Sequence, residues 1–313
     1  MRWYGKDLTE TVAAVCQKTI KSAIGCSGIG LHSGVDINMT LRPAPVGTGI
    51  VFTRVDQGNA LLPAVYDLVS ETQLGTTLSN VDGVNLATVE HLMAALWGCE
   101  IDNLFVDVDG PEVPAMDGSA APFVFLIECV GIVEQSAPRQ ALRVCQPVEV
   151  VAGEKRITLT PADSFSVDLM INYDHPMISC QSSYFDGGPF AFKTEISRAR
   201  TFGIADEVAA LHAAGFALGG SLENAVVVVE DRVLNDGGLR YENEFARHKM
   251  LDCVGDLYLA GAPLIARVEA HCSGHQLNNA ALRALFASDQ NWQLEPIMPM
   301  VSNGPEMAAG AEA

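Results

Sequence analysis

Three ionisable side chains, His248, Asp252 and Asp256, recur at four-residue intervals in the chain. They lie in a helical pattern predicted over about residues 243–260, so they would stand one turn apart on one face of the helix. An imidazole and a carboxylate at this spacing can bind one metal ion. They can also form an ordinary ion pair along a helix. The spacing alone leaves both interpretations open.

A second pair of such side chains stands at the start of an apolar helix predicted over residues 88–98. Thr88 is a suitable N-cap and Gly98 a suitable stop, which places Glu90 and His91 in the first turn. Glu90 could simply complement the positive end of the helix dipole. A metalloenzyme could also use such a pair as a base beside a metal ligand.

Other histidines carry less information. His271 and His275 also stand four residues apart, but Ser273-Gly274 between them disfavours a helix, so the two should not share a face. His275 is predicted at a strand-to-helix junction, where a side chain is held rigidly near a helix N-terminus. His32 lies in a glycine-rich turn that a strand follows, and we interpret it as a turn or core residue.

The composition indicates a globular chain with a large core. Its 313 residues suffice for two domains of ordinary size, and 49% of them are hydrophobic against 18% charged. The formal net charge of −19 disfavours binding to nucleic acid or to an anionic membrane through bulk electrostatics. An anionic substrate would therefore need a locally basic pocket.

Cysteine usage and hydropathy predict a cytoplasmic protein. The eight cysteines are scattered without a C-x-x-C pair, which is typical of reduced core thiols rather than of disulfides or a cysteine zinc site. No apolar run approaches the roughly 18–20 residues of a membrane span. The first residues do not have the pattern of a cleaved signal peptide.

The order of predicted elements, strands then helix in both halves, indicates the α+β class with two similar sheet-plus-helices domains. The pattern loosens at residues 136–140, where we place the domain boundary. We expect an N-terminal extension, two domains and a disordered tail, covering residues 1–17, 18–137, 138–299 and 300–313. The second domain should contain one continuous strand over residues 142–151 and a helix beginning at Phe192.

Six short motifs together resemble the UDP-3-O-acyl-N-acetylglucosamine deacetylase family. They are GLHSG at residues 30–34, TVEHL at 88–92, MDGSAAPF at 116–123, ISRARTFG at 196–203, RHKMLD at 247–252 and SGHQLNN at 273–279. The match runs in order from about Thr19 to Phe286. These zinc enzymes carry out the committed step of lipid A synthesis in Gram-negative bacteria. Their fold implies two sheet-plus-helices domains that face each other with the zinc between them.

The resemblance also implies a metal site with one zinc ion per chain. His91, His248 and Asp252 would be the protein ligands, which leaves a fourth position open for water, as in other catalytic zinc sites. Glu90 would be the general base that takes a proton from this water.

Four further side chains receive roles from the same resemblance. His275 would be the general acid that protonates the leaving amine, and Asp256 would orient it and favour its charged form. Thr201 would help to stabilise the oxyanion of the tetrahedral intermediate. Lys249, beside the ligand His248, would contact the substrate and contribute positive charge.

The family's acyl passage corresponds to an insert over about residues 197–221. Phe202, Ile204, Ala217 and Leu218 would be its wall residues. At Ile204 the chain departs from the aromatic residue often found there, which affects the shape of the passage. The expected partner is a UDP-acyl-glucosamine substrate, not nucleic acid, and the expected state is a monomer.

Two other functions are compatible with a zinc site. A different zinc amidohydrolase, such as a peptidase, is disfavoured because neither H-E-x-x-H nor H-x-x-E-H occurs in the sequence. A structural zinc site is disfavoured because such sites are usually closed and rich in cysteine. An acidic residue such as Glu90 beside the metal would also have no purpose there.

Overall fold

The computed structural model describes residues 14–299, which form a mixed α+β fold. The predicted α+β class is therefore confirmed. The predicted tail and most of the predicted N-terminal extension lie outside the described residues. Within residues 14–299 no helix is both long and apolar enough to cross a membrane.

Six helices are found among the described residues, and the last four of them belong to the second half of the chain. They are α1 Glu90–Gly98, α2 Ala121–Val130, α3 Pro189–Ala191, α4 Ala205–Ala213, α5 Glu244–Tyr258 and α6 His275–Phe286. The helix predicted from Phe192 instead begins as the single turn of α3 and continues as a π-helical turn over Phe192–Ile196.

The first half of the chain forms ten strands. They are β1 Cys16–Ile20, β2 Ile24–Ile29, β3 Asp36–Pro43, β4 Ile50–Arg54, β5 Ala60–Pro63, β6 Val69–Glu71, β7 Thr77–Ser79, β8 Asn85–Leu86, β9 Leu104–Val108 and β10 Ile132–Pro138. The largest sheet has the order β2-β3-β9-β4-β5, and β4 runs parallel to β9. β3 is the strand predicted after the glycine-rich turn, and its side chains alternate, since Ile37, Met39 and Leu41 are buried and Asp36 is exposed.

The second half forms eleven strands. They are β11 Gln140–Val144, β12 Val148–Ala152, β13 Lys155–Thr160, β14 Ser166–Asn172, β15 Cys180–Phe185, β16 Phe202–Ile204, β17 Val226–Val229, β18 Arg232–Val233, β19 Leu264–Ile265, β20 Arg267–His271 and β21 Trp292–Pro296. The largest sheet has the order β12-β13-β20-β14-β15. Each sheet pairing in the described residues joins strands of the same half.

The single strand predicted over residues 142–151 is wrong. The structure has two strands, β11 and β12, which belong to different sheets. The chain leaves the first sheet at Cys145, whose amide donates to the Asn291 carbonyl, and it re-enters a sheet after Pro147. Proline has no amide hydrogen to donate to a strand ladder, so the strand ends there.

Helices α1 and α5 pack against each other and join the two halves of the chain. Gly255 of α5 makes the close approach possible, because a Cβ at this position would overlap the carbonyl of Glu90 in α1. Aromatic side chains pack against the C-terminal end of α1 and also attach it to the second half of the chain. The Trp97 ring lies 5.4 Å from Phe165 and 5.5 Å from Phe192, both from the second half. These contacts fix the first turn of α1 opposite the middle of α5.

Candidate active site

Two imidazole nitrogens and one carboxylate oxygen converge between α1 and α5. Nε2 of His91 lies 3.4 Å from Oδ1 of Asp252, and Nε2 of His248 lies 3.3 Å from the same oxygen. All three side chains are buried, and the three possible ligand atoms lie within 4.8 Å of one another. The predicted metal ligands are thus brought together from two helices.

Hydrogen bonding around these residues fits a bound cation. Oδ1 of Asp252 is buried and has no hydrogen-bond partner among the described residues. The carbonyl of Ala199 lies 3.2 Å from Nδ1 of His248, so this nitrogen carries the proton and Nε2 keeps its lone pair for the cluster. Burial lowers the pKa of His248 to about 3, which keeps the ring neutral. Two imidazoles and a carboxylate suit Zn²⁺ and also Fe²⁺.

Glu90 is held beside this cluster at the start of α1. Its Oε2 accepts a hydrogen bond from the Thr76 amide at 3.0 Å, and its side chain is buried. Burial raises the pKa of Glu90, which makes its carboxylate a better proton acceptor. The predicted N-cap is wrong: Thr88 has a φ of 56°, and its hydroxyl donates to Glu112 and accepts no hydrogen bond from a helix amide.

His275 and Asp256 form a second buried pair. Nδ1 of His275 lies 2.9 Å from Oδ2 of Asp256, while Nε2 of His275 lies 3.8 Å from Oδ2 of Asp252. Burial opposes the charge on the imidazole, but the Asp256 charge and hydrogen bond outweigh it and raise the pKa of His275 to about 9. His275 is the first residue of α6, as the predicted strand-to-helix junction required.

Two residues that support this pair were missed by the sequence analysis. The Thr76 hydroxyl donates to Oδ1 of Asp256 at 2.5 Å, so Thr76 links Asp256 to Glu90. The Asn278 side chain donates to Oδ2 of Asp256 at 2.8 Å. Thr76 is separated from Asp256 by 180 residues, and no local pattern signals such a contact. Asn278 stands three residues after His275, and this helical spacing was its available signal.

A cavity of about 620 Å³ opens above the site. Six of the predicted catalytic and substrate-binding residues line it. They are Thr201, Phe202, Ile204, Ala217, Lys249 and His275. Lys155 also lines the cavity, so the cavity of this acidic protein has two lysines in its wall. These two lysines provide the local positive charge that an anionic substrate of this acidic protein would need.

Thr201 is fixed by its backbone on both sides. Its amide donates to the Gly118 carbonyl at 2.8 Å, and its carbonyl accepts from the Val226 amide at 2.8 Å. The preceding residue, Arg200, forms a buried ion pair with Glu244, the first residue of α5, at 2.8 Å. The loop that carries Thr201 is therefore attached directly to the helix that carries His248.

The Lys249 ammonium lies near both a carboxylate and an aromatic ring. It lies 2.8 Å from Oδ2 of Asp252 and 5.8 Å from the centre of the Phe202 ring. Burial opposes its charge, but Asp252 outweighs this effect and raises the pKa of Lys249. Lys249 therefore stays protonated at the cavity wall.

Leu218 departs from its predicted place in the passage wall. Its side chain is 51% exposed and is not part of the cavity lining. The chain reverses at Ala217, whose φ is 55°, and Leu218 then turns outward against Gly34. Gly220, Ser221 and Leu222 line the cavity at this point instead.

His32 lies in a turn, as predicted, but the sequence did not predict that it borders the cavity. Its ring lines the cavity, and its buried Nε2 atom has no hydrogen-bond partner among the described residues. Its Nδ1 accepts a hydrogen bond from the Ala217 amide at 3.3 Å. The glycine-rich turn at residues 30–34 was the available sequence signal for this position.

Comparison with known proteins agrees with this geometry. Residues 17–287 match the family model described as UDP-3-O-acyl N-acetylglycosamine deacetylase. A protein of Acidithiobacillus ferrooxidans named UDP-3-O-acyl-N-acetylglucosamine deacetylase is 50% identical over 281 residues, which are 88% of this chain and 92% of that protein. Proteins of the same name from Shewanella halifaxensis and Idiomarina loihiensis are each 48% identical, over 90% and 88% of this chain and 92% of their own lengths. The chain therefore belongs to the UDP-3-O-acyl-N-acetylglucosamine deacetylase family.

Proposed function

We propose that this protein is a zinc-dependent deacetylase that acts on UDP-3-O-acyl-N-acetylglucosamine. The reaction would hydrolyse the N-acetyl group to acetate and a free amine, as the committed step of lipid A synthesis in the cytoplasm of a Gram-negative bacterium. One observation carries the proposal. The cluster of His91, His248 and Asp252 lies beside the buried carboxylate of Glu90 and beside His275, which forms part of the wall of a large cavity.

The protein ligands of the zinc would be His91, His248 and Asp252. A zinc ion held there would lower the pKa of water to about 7 and polarise the amide carbonyl of the substrate. Glu90 accepts the proton that water loses as it attacks this carbonyl. The Thr76 amide fixes one oxygen of Glu90 and leaves the other for this transfer.

His275 donates a proton to the leaving nitrogen. An amine is a poor leaving group unless it is protonated, so the acid must be charged before the C–N bond breaks. The Asp256 carboxylate holds Nδ1 of His275, which directs Nε2 away from it and towards the cluster. Thr76 and Asn278 hold Asp256 in turn, so the acid keeps one orientation.

The remaining cavity residues bind the substrate in this proposal. The Thr201 hydroxyl stabilises the charge that develops on the carbonyl oxygen. Lys249 and Lys155 face the anionic part of a UDP-sugar, and Phe202, Ile204 and Ala217 contact the acyl chain. We further propose that the enzyme works as a monomer with domains over residues 18–137 and 138–299.

A structural zinc site and a different amidohydrolase are the competing functions. A structural site would not require Glu90 and His275 to flank the ligands, and a peptidase would not require an apolar passage. The test measures acetate release from UDP-3-O-acyl-N-acetylglucosamine with and without a chelator, and then after zinc is restored. Release that is chelator-sensitive and zinc-restored supports the proposal. Absence of release from the zinc-loaded protein overturns it.

A further inference from the structure

The Glu112 carboxylate is buried and serves four neutral donors. Glu112 is only 1% exposed to solvent. Oε1 accepts from the Thr88 hydroxyl at 2.9 Å and from the His32 amide at 3.0 Å. Oε2 accepts from both the amide and the hydroxyl of Ser33 at 3.0 Å. A buried carboxylate is costly unless such donors compensate it, so this arrangement holds two segments together strongly.

One of these segments leads into the catalytic helix. Thr88 stands two residues before Glu90 and three before His91, at the entry to α1. Ala87 pairs with Glu112 in a parallel bridge, and the Val113 amide donates to the Ala87 carbonyl. Glu112 is thus bound to the entry of α1 through both its backbone and its side chain.

The other segment supports the cavity wall. His32 lines the cavity, and Nδ1 of its ring accepts a hydrogen bond from the Ala217 amide. The His32 carbonyl accepts a hydrogen bond from the Leu218 amide at 3.1 Å. The neighbouring Leu31 carbonyl accepts one from the Gly219 amide at 3.1 Å. A Cβ at Gly219 would overlap the Gly30 carbonyl, so the two backbones are in close contact. The segment 217–219 is therefore held by the same turn that Glu112 holds.

We propose that Glu112 is a positioning residue that fixes segment 217–219 of the acyl passage relative to the first turn of α1. The proposal rests on the proposed function, because it assigns to Glu112 an effect on acyl-chain preference. Glu112 itself is outside the cavity lining. It acts through His32 and Ser33 on the wall, and through Thr88 on the helix that carries Glu90.

The substitution Glu112→Gln keeps the shape of the side chain and replaces one acceptor oxygen by a donor amide. This amide faces either the Ser33 donors or those of His32 and Thr88, and it cannot accept from them. The turn then loses part of its attachment while the metal ligands keep all their contacts. The cavity wall at segment 217–219 should therefore move. This movement should weaken the binding of a long acyl chain more than it disturbs the N-acetyl group at the metal site.

The experiment compares kcat/KM on two substrates, UDP-3-O-acyl-N-acetylglucosamine with a long and with a short acyl chain. For Glu112→Gln we expect the long-chain value to fall at least about tenfold more than the short-chain value, on the scale of a lost charged hydrogen bond. The zinc content should stay unchanged. Asp102→Asn is the matched control, because Asp102 is a carboxylate bonded to Arg139 and to the Lys18 amide, away from the passage. Equal losses on both substrates, as expected for this control, would overturn the proposal.

A second measurement does not depend on activity. Hydrogen exchange of the peptide that contains Leu218 and Gly219 should become faster in Glu112→Gln and stay unchanged in Asp102→Asn. Unchanged exchange in Glu112→Gln overturns the positioning role even if the protein has another substrate. Conversely, absence of acetate release by the wild type with faster exchange in the variant refutes the proposed function alone.

Ser33→Ala provides a milder test if Glu112→Gln does not fold. It removes one of the donors to Glu112 and leaves the carboxylate in place. It should shift chain-length preference in the same direction and by less. Where both single variants fold, the double variant should show less than the sum of their effects, because both act through one contact. Additive effects, or no shift in Ser33→Ala, would contradict the proposal.

Discussion

Nδ1 of His275 lies 2.9 Å from Oδ2 of Asp256 inside the protein, and Asp256 stands one helical turn after Asp252, a proposed metal ligand. The Asp256 carboxylate raises the pKa of His275 to about 9 in spite of burial. His275 is protonated below this pH and loses its proton above it. Because the proposed acid works in its protonated form, activity should fall as the pH rises through about 9.

Asp256→Asn tests this relation directly. The amide keeps the hydrogen-bonding shape but removes the negative charge, so the pKa of His275 should decrease by at least about one unit. The alkaline limb of the kcat/KM profile should move to lower pH by the same amount. His275→Gln should abolish the limb while zinc remains bound. A limb that stays in place in both variants would assign the proton donor to another group.

The metal ligands can be tested by metal analysis without any substrate. The wild type should bind about one divalent ion per chain. His91→Ala and His248→Ala should each lose it, because two remaining ligands do not hold the ion. His175→Ala is the control, since the His175 ring accepts a hydrogen bond from the nearby Met177 amide and lies outside the proposed ligand cluster. Full occupancy in a ligand variant would remove that residue from the set.

A single added methyl group at Gly255 should force α1 and α5 apart. Gly255→Ala places a Cβ against the Glu90 carbonyl, so α1 must move away from α5. We expect the free energy of unfolding to decrease by about 1–3 kcal/mol, as for other overpacked sites, and zinc affinity to decrease with it. Gly237→Ala is the control, because no atom lies near its Cβ position. Denaturant unfolding and zinc titration measure both effects. Wild-type values for Gly255→Ala would mean that the helices do not touch there.

The ion pair between Arg200 and Glu244 should matter much more than a surface pair. Glu244 is fully buried, and Glu244→Gln would leave the Arg200 charge without its partner. The expected loss is about 3–5 kcal/mol in the free energy of unfolding. Glu269→Gln is the control, because its pair with Arg267 is about half exposed and should contribute less than about 1 kcal/mol. Similar losses in the two variants would contradict this ranking.

Ala217 tests the passage wall itself. Each methylene of the acyl chain that leaves water contributes about 0.8 kcal/mol, so wall volume determines chain preference. Ala217→Trp should reduce kcat/KM steeply on a long-chain substrate and only slightly on a short-chain one. Leu218→Ala is the control, because this side chain points away from the cavity. Equal losses on both substrates in Ala217→Trp would indicate damage to the fold rather than a filled passage.

The sequence predicted the candidate catalytic and metal-binding residues better than it predicted the residues that hold them in place. The four-residue spacing of His248, Asp252 and Asp256 survives in the structure because helix geometry converts it directly into one polar face. Thr76 could not be predicted, since its partner Asp256 follows 180 residues later and the contact depends on tertiary packing. The same cause explains the wrong N-cap: Thr88 has the right chemistry for a cap, but the distant Glu112 uses its hydroxyl.

The fold was predictable as a class and less so in its details. The strand predicted after the glycine-rich turn is β3, and its apolar residues alternate because one face of its sheet packs against the core. The run of residues 142–151 has strand composition throughout, yet composition does not say that β11 and β12 join different sheets. The reversal at Ala217 was equally hidden, because alanine gives no sign of a left-handed backbone, and it turned Leu218 out of the wall.

The division of the proposed ligand set between α1 and α5 has a consequence for the order of events during synthesis of the protein. A ribosome that has produced only the first half has made His91 alone, and one imidazole does not retain a metal ion. The other two ligands are synthesised much later, and they face His91 only after the two helices have docked. In the proposed site, metal uptake would therefore follow the docking of the two helices, and a chain that ends before α5 would bind no metal ion there.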